Sequence, residues 1–339
     1  MMKVSVIILN WNGAAMMRRF LPSVVANTDG AEIIVADNGS DDDSLAMLAS
    51  EFPSVRVIRL GRNYGFAEGY NRAIAEVNSE YVVLLNSDVE TPKGWLSPLV
   101  EYMDANPDVA ACQPKLLSFA DKNSFEYAGG AGGFVDRFGY PFCRGRLFGV
   151  VEKDNGQYDD VCDIHWATGA CMMVRRKAYL DSGGLDARFF AHNEEIDLCW
   201  RMRLFGYRIV CVPSSVVYHL GGGTLPQGNP RKTYLNFRNN LTMLYKNLTD
   251  ASLNSVMRWR LLLDYVAMLQ SLLKGNIADV KAIRAARRDF KAWKSDYAPL
   301  RKEIQKRARK NGKVCDSYTA PYSVIVKYYL FGKRCFSDL

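Results

Sequence analysis

The 339-residue sequence lacks an apolar run long enough to cross a bilayer, which takes about 20 mostly apolar residues. The apolar stretch from Tyr265 to Leu273 is closed by Asp264 and Lys274, and prolines and glycines interrupt the uncharged segment from Ile209 to Pro230. Also missing are an internal repeat, a C-x-x-C pair and a G-x-G-x-x-G turn after the first apolar run, where N-W-N-G stands instead. Without C-x-x-C, the eight scattered cysteines (112, 143, 162, 171, 199, 211, 315, 335) read as reduced, mostly buried thiols of a cytoplasmic protein. The missing glycine fingerprint counts against a nicotinamide-dependent dehydrogenase. The start, MMKVSVIILNWNG, carries no signal-peptide cleavage site and reads as a strand.

The composition is 48% hydrophobic, 24% charged and 12% aromatic, enough apolar content for a packed core and unlike a disordered, collagen-like or disulfide-framed chain. The net charge of +8 is unevenly spread. Residues 1–239 carry 24 Lys/Arg against 28 Asp/Glu, a net of −4, and residues 240–339 carry 20 against 8, a net of +12. That split divides the chain into a near-neutral body, 1–240, and a basic, mainly helical extension, 241–339. Such a tail suits an anionic membrane surface, and a solvated helical face equally. No aromatic-interleaved platform accompanies it, so no nucleic-acid partner is expected.

Up to about residue 115, short β-branched runs alternate with helical spacing. Strands are expected at Val4–Leu9, Glu32–Ala36, Val55–Ile58 and Tyr81–Leu85, with helices between and after them, which implies βαβ units and a parallel sheet. From Ser118 to Asp160 the pattern loosens into a glycine- and aromatic-rich loop region. It returns as a strand at Ala170–Val174, a helix at Glu195–Phe205, and extended runs at Tyr207–Val212 and Val216–Tyr218. Val256, Trp259, Leu262, Leu263, Val266, Leu269, Leu272 and Leu273 mark an amphipathic helix. Its simplest role is to pack that apolar stripe on the main domain, and the other is to dock it on a membrane surface.

Ligands of an open parallel sheet bind at the carboxyl ends of its strands. Polar or glycine-rich residues follow four apolar runs: Asn10-Trp11-Asn12-Gly13, Asp37-Asn38-Gly39-Ser40, Gly61-Arg62-Asn63-Tyr64-Gly65 and Asn86-Ser87-Asp88. Asp88 stands where a carboxylate can hold a divalent cation on a diphosphate oxygen, or can simply lead a turn. His219, ending an extended run before Gly221-Gly222-Gly223, is a second possible ligand. Glu194, Glu195 and Asp197 open a helix, where acids are expected on dipole grounds, yet adjacent like charges also raise a pKa and suit a general base.

Together V-S-V-I-I-L-N-W-N-G, V-A-D-N-G-S-D-D, N-Y-G-F-A-E-G-Y-N, L-L-N-S-D-V, T-G-A-C-M-M-V-R-R, N-E-E-I-D-L-C-W-R and Y-H-L-G-G-G resemble the family 2 glycosyltransferases, particularly the bacterial rhamnosyltransferase-like branch. The resemblance covers residues 3 to about 245. It implies an α/β GT-A fold: a Rossmann-like, mostly parallel sheet with helices on both faces, followed here by the helical extension. It implies an inverting, metal-dependent enzyme using a nucleotide-diphosphate sugar and Mg2+ or Mn2+. Asp37 would bond the nucleotide base, and Asn10, Asn12, Asn63 and Asn86 would line the donor pocket. Asp88 would bind the metal with His219. Glu195 would be the base, with Glu194 able to share the role, and Asp197 would support the helix. Trp166 and Gly169 would shape the acceptor side. Two positions depart from the family pattern: Asn86 replaces the first D-x-D acid, and Glu195 stands where Asp is usual. A glycan or lipid-linked acceptor in cell-surface polysaccharide assembly follows from the same resemblance, as does work at the inner face of a membrane. The rival expectation is a non-catalytic sugar-nucleotide-binding protein, which would keep Asp37 and Asp88 without needing Glu195.

Overall fold

A computed structural model of the chain describes residues 2–221, 228–312 and 319–339. Gly222, Gly223 and Cys315 therefore lie outside the described residues. The first half runs β1 (Val4–Asn10), α1 (Ala14–Asn27), β2 (Ala31–Asp37), α2 (Ser44–Glu51), β3 (Arg56–Arg59), α3 (Gly65–Ala75), β4 (Tyr81–Leu85), β5 (Val89–Glu90), α4 (Ser97–Ala105) and β6 (Val109–Ser118). These β-branched runs become strands because both faces of the sheet are covered. Ile7, Val82 and Leu84 enter one core, while Val6, Ile8, Val83 and Leu85 enter the other.

Where the sequence reads as loop, four short strands form a separate antiparallel sheet: β7 (Gly133–Val135), β8 (Pro141–Cys143), β9 (Arg146–Leu147) and β10 (Val150–Val151). Strands of two or three residues are too short to show an alternating pattern. Then come β11 (Cys162–Asp163), β12 (Cys171–Arg175), α5 (Arg176–Asp181), α6 (Glu194–Leu204) and β13 (Arg208–His219). β13 joins the two expected extended runs through a register shift between Val212 and Val216, which accommodates Pro213.

The main sheet has the order β11-β13-β6-β12-β4-β1-β2-β3, with β5 on β13. The β1–β4 block and the β6/β13 pair are parallel, and β12 runs antiparallel between them. The extension contains α7 (Pro230–Asn247), α8 (Asp250–Leu273), α9 (Ile277–Lys310) and α10 (Val324–Tyr329). The division at residue 240 falls within α7, which packs on α6 and α9. Among the described residues, no helix is long and apolar enough to cross a membrane. The seven described cysteines are free and mostly buried.

One packing expectation is reversed. The inward stripe of α8 is Val256, Arg260, Asp264 and Met268, while Trp259, Leu262, Val266, Leu269, Leu272 and Leu273 are exposed. Buried Asp264 takes buried Arg260 and half-buried Arg287 as ion-pair partners, and this charged cluster turns the apolar stripe outward.

Candidate active site

The carboxyl ends of β1, β2 and β3 bring the first strand-end residues together. Asn10 and Asp37 are neighbours in the parallel register and both are buried. Asn10 Nδ2 donates to Ser40 Oγ at 3.1 Å and faces Asp37 Oδ1 at 3.4 Å, and its Oδ1 is buried without a hydrogen-bond partner. Asn12, held at φ 52°, receives the backbone N–H of Asp41 on its Oδ1 at 2.7 Å. Asn63 accepts from Gly65 N at 2.8 Å and faces Asn38 Nδ2 at 3.3 Å. Gly65, at φ 78°, must be glycine, because a Cβ there would stand 2.5 Å from the Phe190 ring.

Asp88 and His219 meet because β5 pairs with the end of β13. Their Oδ1 and Nε2 atoms are 3.0 Å apart, Asn86 Nδ2 lies 3.5 Å from the same Nε2, and Leu220 N donates to Asp88 O at 3.0 Å. Behind the imidazole, Glu126 Oε1 is 3.2 Å from His219 Nδ1. Burial opposes the charge on His219, but Asp88 and Glu126 outweigh it and push its pKa up to about 10. Burial likewise opposes ionisation of Asp88, and His219 outweighs it, leaving that carboxyl below its usual range. Two ligands at right angles, each about 2.1 Å from one ion, stand about 3.0 Å apart. The Asp88–His219 spacing thus fits a divalent cation in place of the proton on Nε2, with Glu126 as the carboxylate behind the histidine. Among the described residues, no group of three or more His, Cys, Asp or Glu forms a full metal cage. The remaining positions suit diphosphate oxygens and water.

The carboxylates of α6 have three different environments. Asp197 is fully buried and ion-paired with Arg201 at 2.9 Å and Lys246 at 2.7 Å, and it accepts from Asn247 at 2.8 Å. Burial opposes its charge, yet Lys246 and Arg201 hold it below the usual range. Its role is to brace the helix. Glu194 is buried, and burial together with the charge of Glu195 pushes its pKa well up. Glu195 is half-buried, with Oε2 sealed from solvent and unpartnered, and burial raises its pKa to about 7.

Sequence reasoning missed Glu126 and the support for Glu195. Phe190, His192 and Asn193 all have positive φ (67°, 73° and 68°) immediately before α6. The side-chain amide of buried Asn239 lies within hydrogen-bonding distance of the carbonyls of Phe189, Ala191 and His192, at 3.0, 2.9 and 2.8 Å. The R-N-N run of α7 offers no signal beyond buried polar residues in a helix, and only the fold shows what it holds. Trp166 is buried, with its indole N–H donated to Phe134 O at 2.9 Å, and a Cβ on Gly169 would stand 3.1 Å from the Phe66 ring.

A doubly covered sheet with polar strand ends and an acidic helix start is the architecture of a GT-A glycosyltransferase. Solved structures bear this out at the level of fold. The structure of GalNAc-T7 with UDP, GalNAc and Mn2+ matches 97% of this chain with a TM-score of 0.64 and 16% identity, and this chain spans 57% of it. The mannosyltransferase PcManGT from Pyrobaculum calidifontis, in complex with GDP-Man and Mn2+, matches 91% of this chain and 86% of its own, with a TM-score of 0.51 and 15% identity. The model of glycosyl transferase family 2 matches residues 5–183, and the chain belongs to that family. Among curated relatives, the N-acetylglucosaminyl-diphospho-decaprenol L-rhamnosyltransferase of Mycobacterium tuberculosis is 27% identical over 231 residues, 63% of this chain and 75% of that protein. The rhamnosyltransferase WbbL of Escherichia coli is 26% identical over 225 residues, 64% of this chain and 83% of its own.

Proposed function

We propose that this glycosyltransferase is an inverting, divalent-metal-dependent enzyme that moves a hexosyl or deoxyhexosyl group from a nucleotide-diphosphate donor to an acceptor hydroxyl. The observation that carries the reading is the Asp88–His219 pair. Asp88 and His219 stand at the spacing of shared metal ligands, and Glu195, in the first turn of α6, has a buried carboxylate oxygen without a hydrogen-bond partner. Asp37, with Asn10 and Asn12, would hold the nucleoside, and Asn63 and Asn86 would close the donor pocket. Asp88 and His219 would hold Mg2+ or Mn2+ against the diphosphate. A cation there supplies charge stabilisation for the leaving nucleoside diphosphate.

Glu195 would take the proton from the acceptor hydroxyl as that oxygen attacks the anomeric carbon. Its raised pKa makes the ionised carboxylate a stronger base than an exposed one. Glu194 lies deeper and is charged at greater cost, so Glu195 is the proposed base and Glu194 its neighbour. Trp166 and Gly169 shape the acceptor wall from behind, by packing. Residues 1–240 would carry the reaction, with 241–339 as support and surface. The names of the relatives favour a lipid-linked or glycan acceptor in cell-surface polysaccharide assembly, and the free cysteines suit work in the reducing cytoplasm.

Calorimetry with nucleoside diphosphates and sugar nucleotides, with and without Mn2+, tests the donor half. Binding that tightens with Mn2+ and loses that gain in Asp88→Asn is expected, and a site indifferent to the ion overturns the metal assignment. For the base, Glu195→Gln is expected to slow transfer by about 10²–10⁴ while donor binding persists. Transfer at the wild-type rate by that variant would falsify the role of Glu195.

A further inference from the structure

α8 is inside out. Its buried stripe carries a charge pair, Arg260 and Asp264, the latter 0% exposed, while its outward face is apolar. Trp259, Leu262, Val266, Leu269 and Leu273 follow one another at three- and four-residue intervals, and Val266 and Leu273 are 55% and 80% exposed. At 1.5 Å per residue this stripe runs about 21 Å along the helix. Soluble surfaces rarely leave an apolar band of that extent uncovered.

What covers it follows from charge. Arg258, Lys274, Lys281, Arg284 and Arg288 are exposed along the same stretch of α8 and α9, within a region of net charge +12. A groove of about 540 Å³ between the two helices joins both features, with Leu269 and Leu272 on one side and Arg284 on the other. A second copy would bring an equally cationic face against the first. A bilayer with anionic headgroups complements the cations and the apolar stripe at once.

We propose that the outward face of α8, rimmed by the cations of α9, docks this protein on an anionic lipid surface with α8 lying in the plane of the interface. Arg260 donates to Asn240 Oδ1 and, at 3.2 Å, to Phe138 O. Asn240 in turn donates to Gly139 O at 2.8 Å and lies 3.4 Å from the side chain of Asn193, the residue just before α6. The inner face of the docking helix is therefore linked to the start of the helix that carries Glu195. The inference stands on surface geometry and needs neither the donor nor the reaction.

Flotation with phosphatidylglycerol-containing vesicles and with pure phosphatidylcholine vesicles tests it on the full chain, without substrate. Wild type is expected to bind the anionic vesicles roughly tenfold better, and the preference is expected to fade in high salt. The triple variant Leu262→Glu, Val266→Glu, Leu269→Glu, altered only at exposed positions, is expected to keep its thermal midpoint and lose binding by at least about tenfold. The double variant Lys281→Glu, Arg284→Glu is expected to lose the anionic preference. Wild type that stays free of anionic vesicles, or a triple variant that binds like wild type, overturns the proposal. A wild-type dimer in sedimentation that the triple variant dissolves assigns the face to a second copy and overturns it too.

Discussion

Glu195 holds a carboxyl where burial opposes its ionisation, and that opposition governs both its chemistry and its effect on stability. Its pKa rises from an ordinary 4.5 to about 7. Between those values the unfolded chain has released the proton and the folded chain keeps it. This contribution to stability is therefore complete below the ordinary value and lost as pH rises through about 7. Two outcomes are expected: transfer should increase with pH through about 7, and Glu195→Gln should flatten the fall of the thermal midpoint over the same interval, read by calorimetric scans at a series of pH values. Asp197 has the opposite sign. Burial resists its charge, but Lys246 and Arg201 win, so its stabilisation is present above the ordinary carboxylate range and is lost on acidification. Removing one partner of so buried a pair costs about 3–5 kcal/mol. Lys246→Met is accordingly expected to lower the urea midpoint strongly, while Asp197→Asn at neutral pH should remove the acid-sensitive part. All three acids of α6 were visible in the sequence, but the braced one and the available one were told apart only by what faces them.

At the scale of elements, the segment before α6 carries positive φ at three of four successive non-glycine residues, 190, 192 and 193. Each costs of order 1–3 kcal/mol and persists only where neighbours over-determine it. Asn239 supplies part of that constraint through the three carbonyls it reaches. Asn239→Ala is expected to lower kcat by about 10²-fold through displacement of Glu195, with the donor KM nearly unchanged because Asn239 bonds none of the strand-end residues. An equal loss in kcat and in donor affinity would instead mark a general loosening of the fold. α8 teaches the complementary lesson. Its helical period was legible in the sequence, but the direction its apolar stripe faces was not. That direction depends on Arg260 and Asp264 finding Arg287, Asn240 and Phe138 across the fold.

At the scale of the molecule, the Asp88–His219 pair proposed to hold the metal is a product of sheet order. Asp88 and His219 are 131 residues apart in the chain and meet because the two-residue strand β5 pairs with the last residues of β13. Leu220 N, bonded to Asp88 O, closes that ladder. Leu220→Pro deletes this N–H, and Mn2+ affinity is expected to fall at least about tenfold while Mn2+-free nucleoside diphosphate binding, proposed for Asn10 and Asp37 across the β1/β2 pair, persists. Calorimetric titration with Mn2+ and with the nucleoside diphosphate separates the two.

The sequence by itself determined the parallel half of the sheet, the family motifs at the strand ends and the basic character of the last hundred residues. Each of these is written in local periodicity or local composition. The fold alone decided that β12 runs antiparallel between β4 and β6, that short strands fill the apparent loop after Ser118, that Glu126 backs His219, and that α8 turns its apolar face outward. Those outcomes depend on partners far away in the chain, and a pairing energy between distant residues leaves no mark on the spacing of either one.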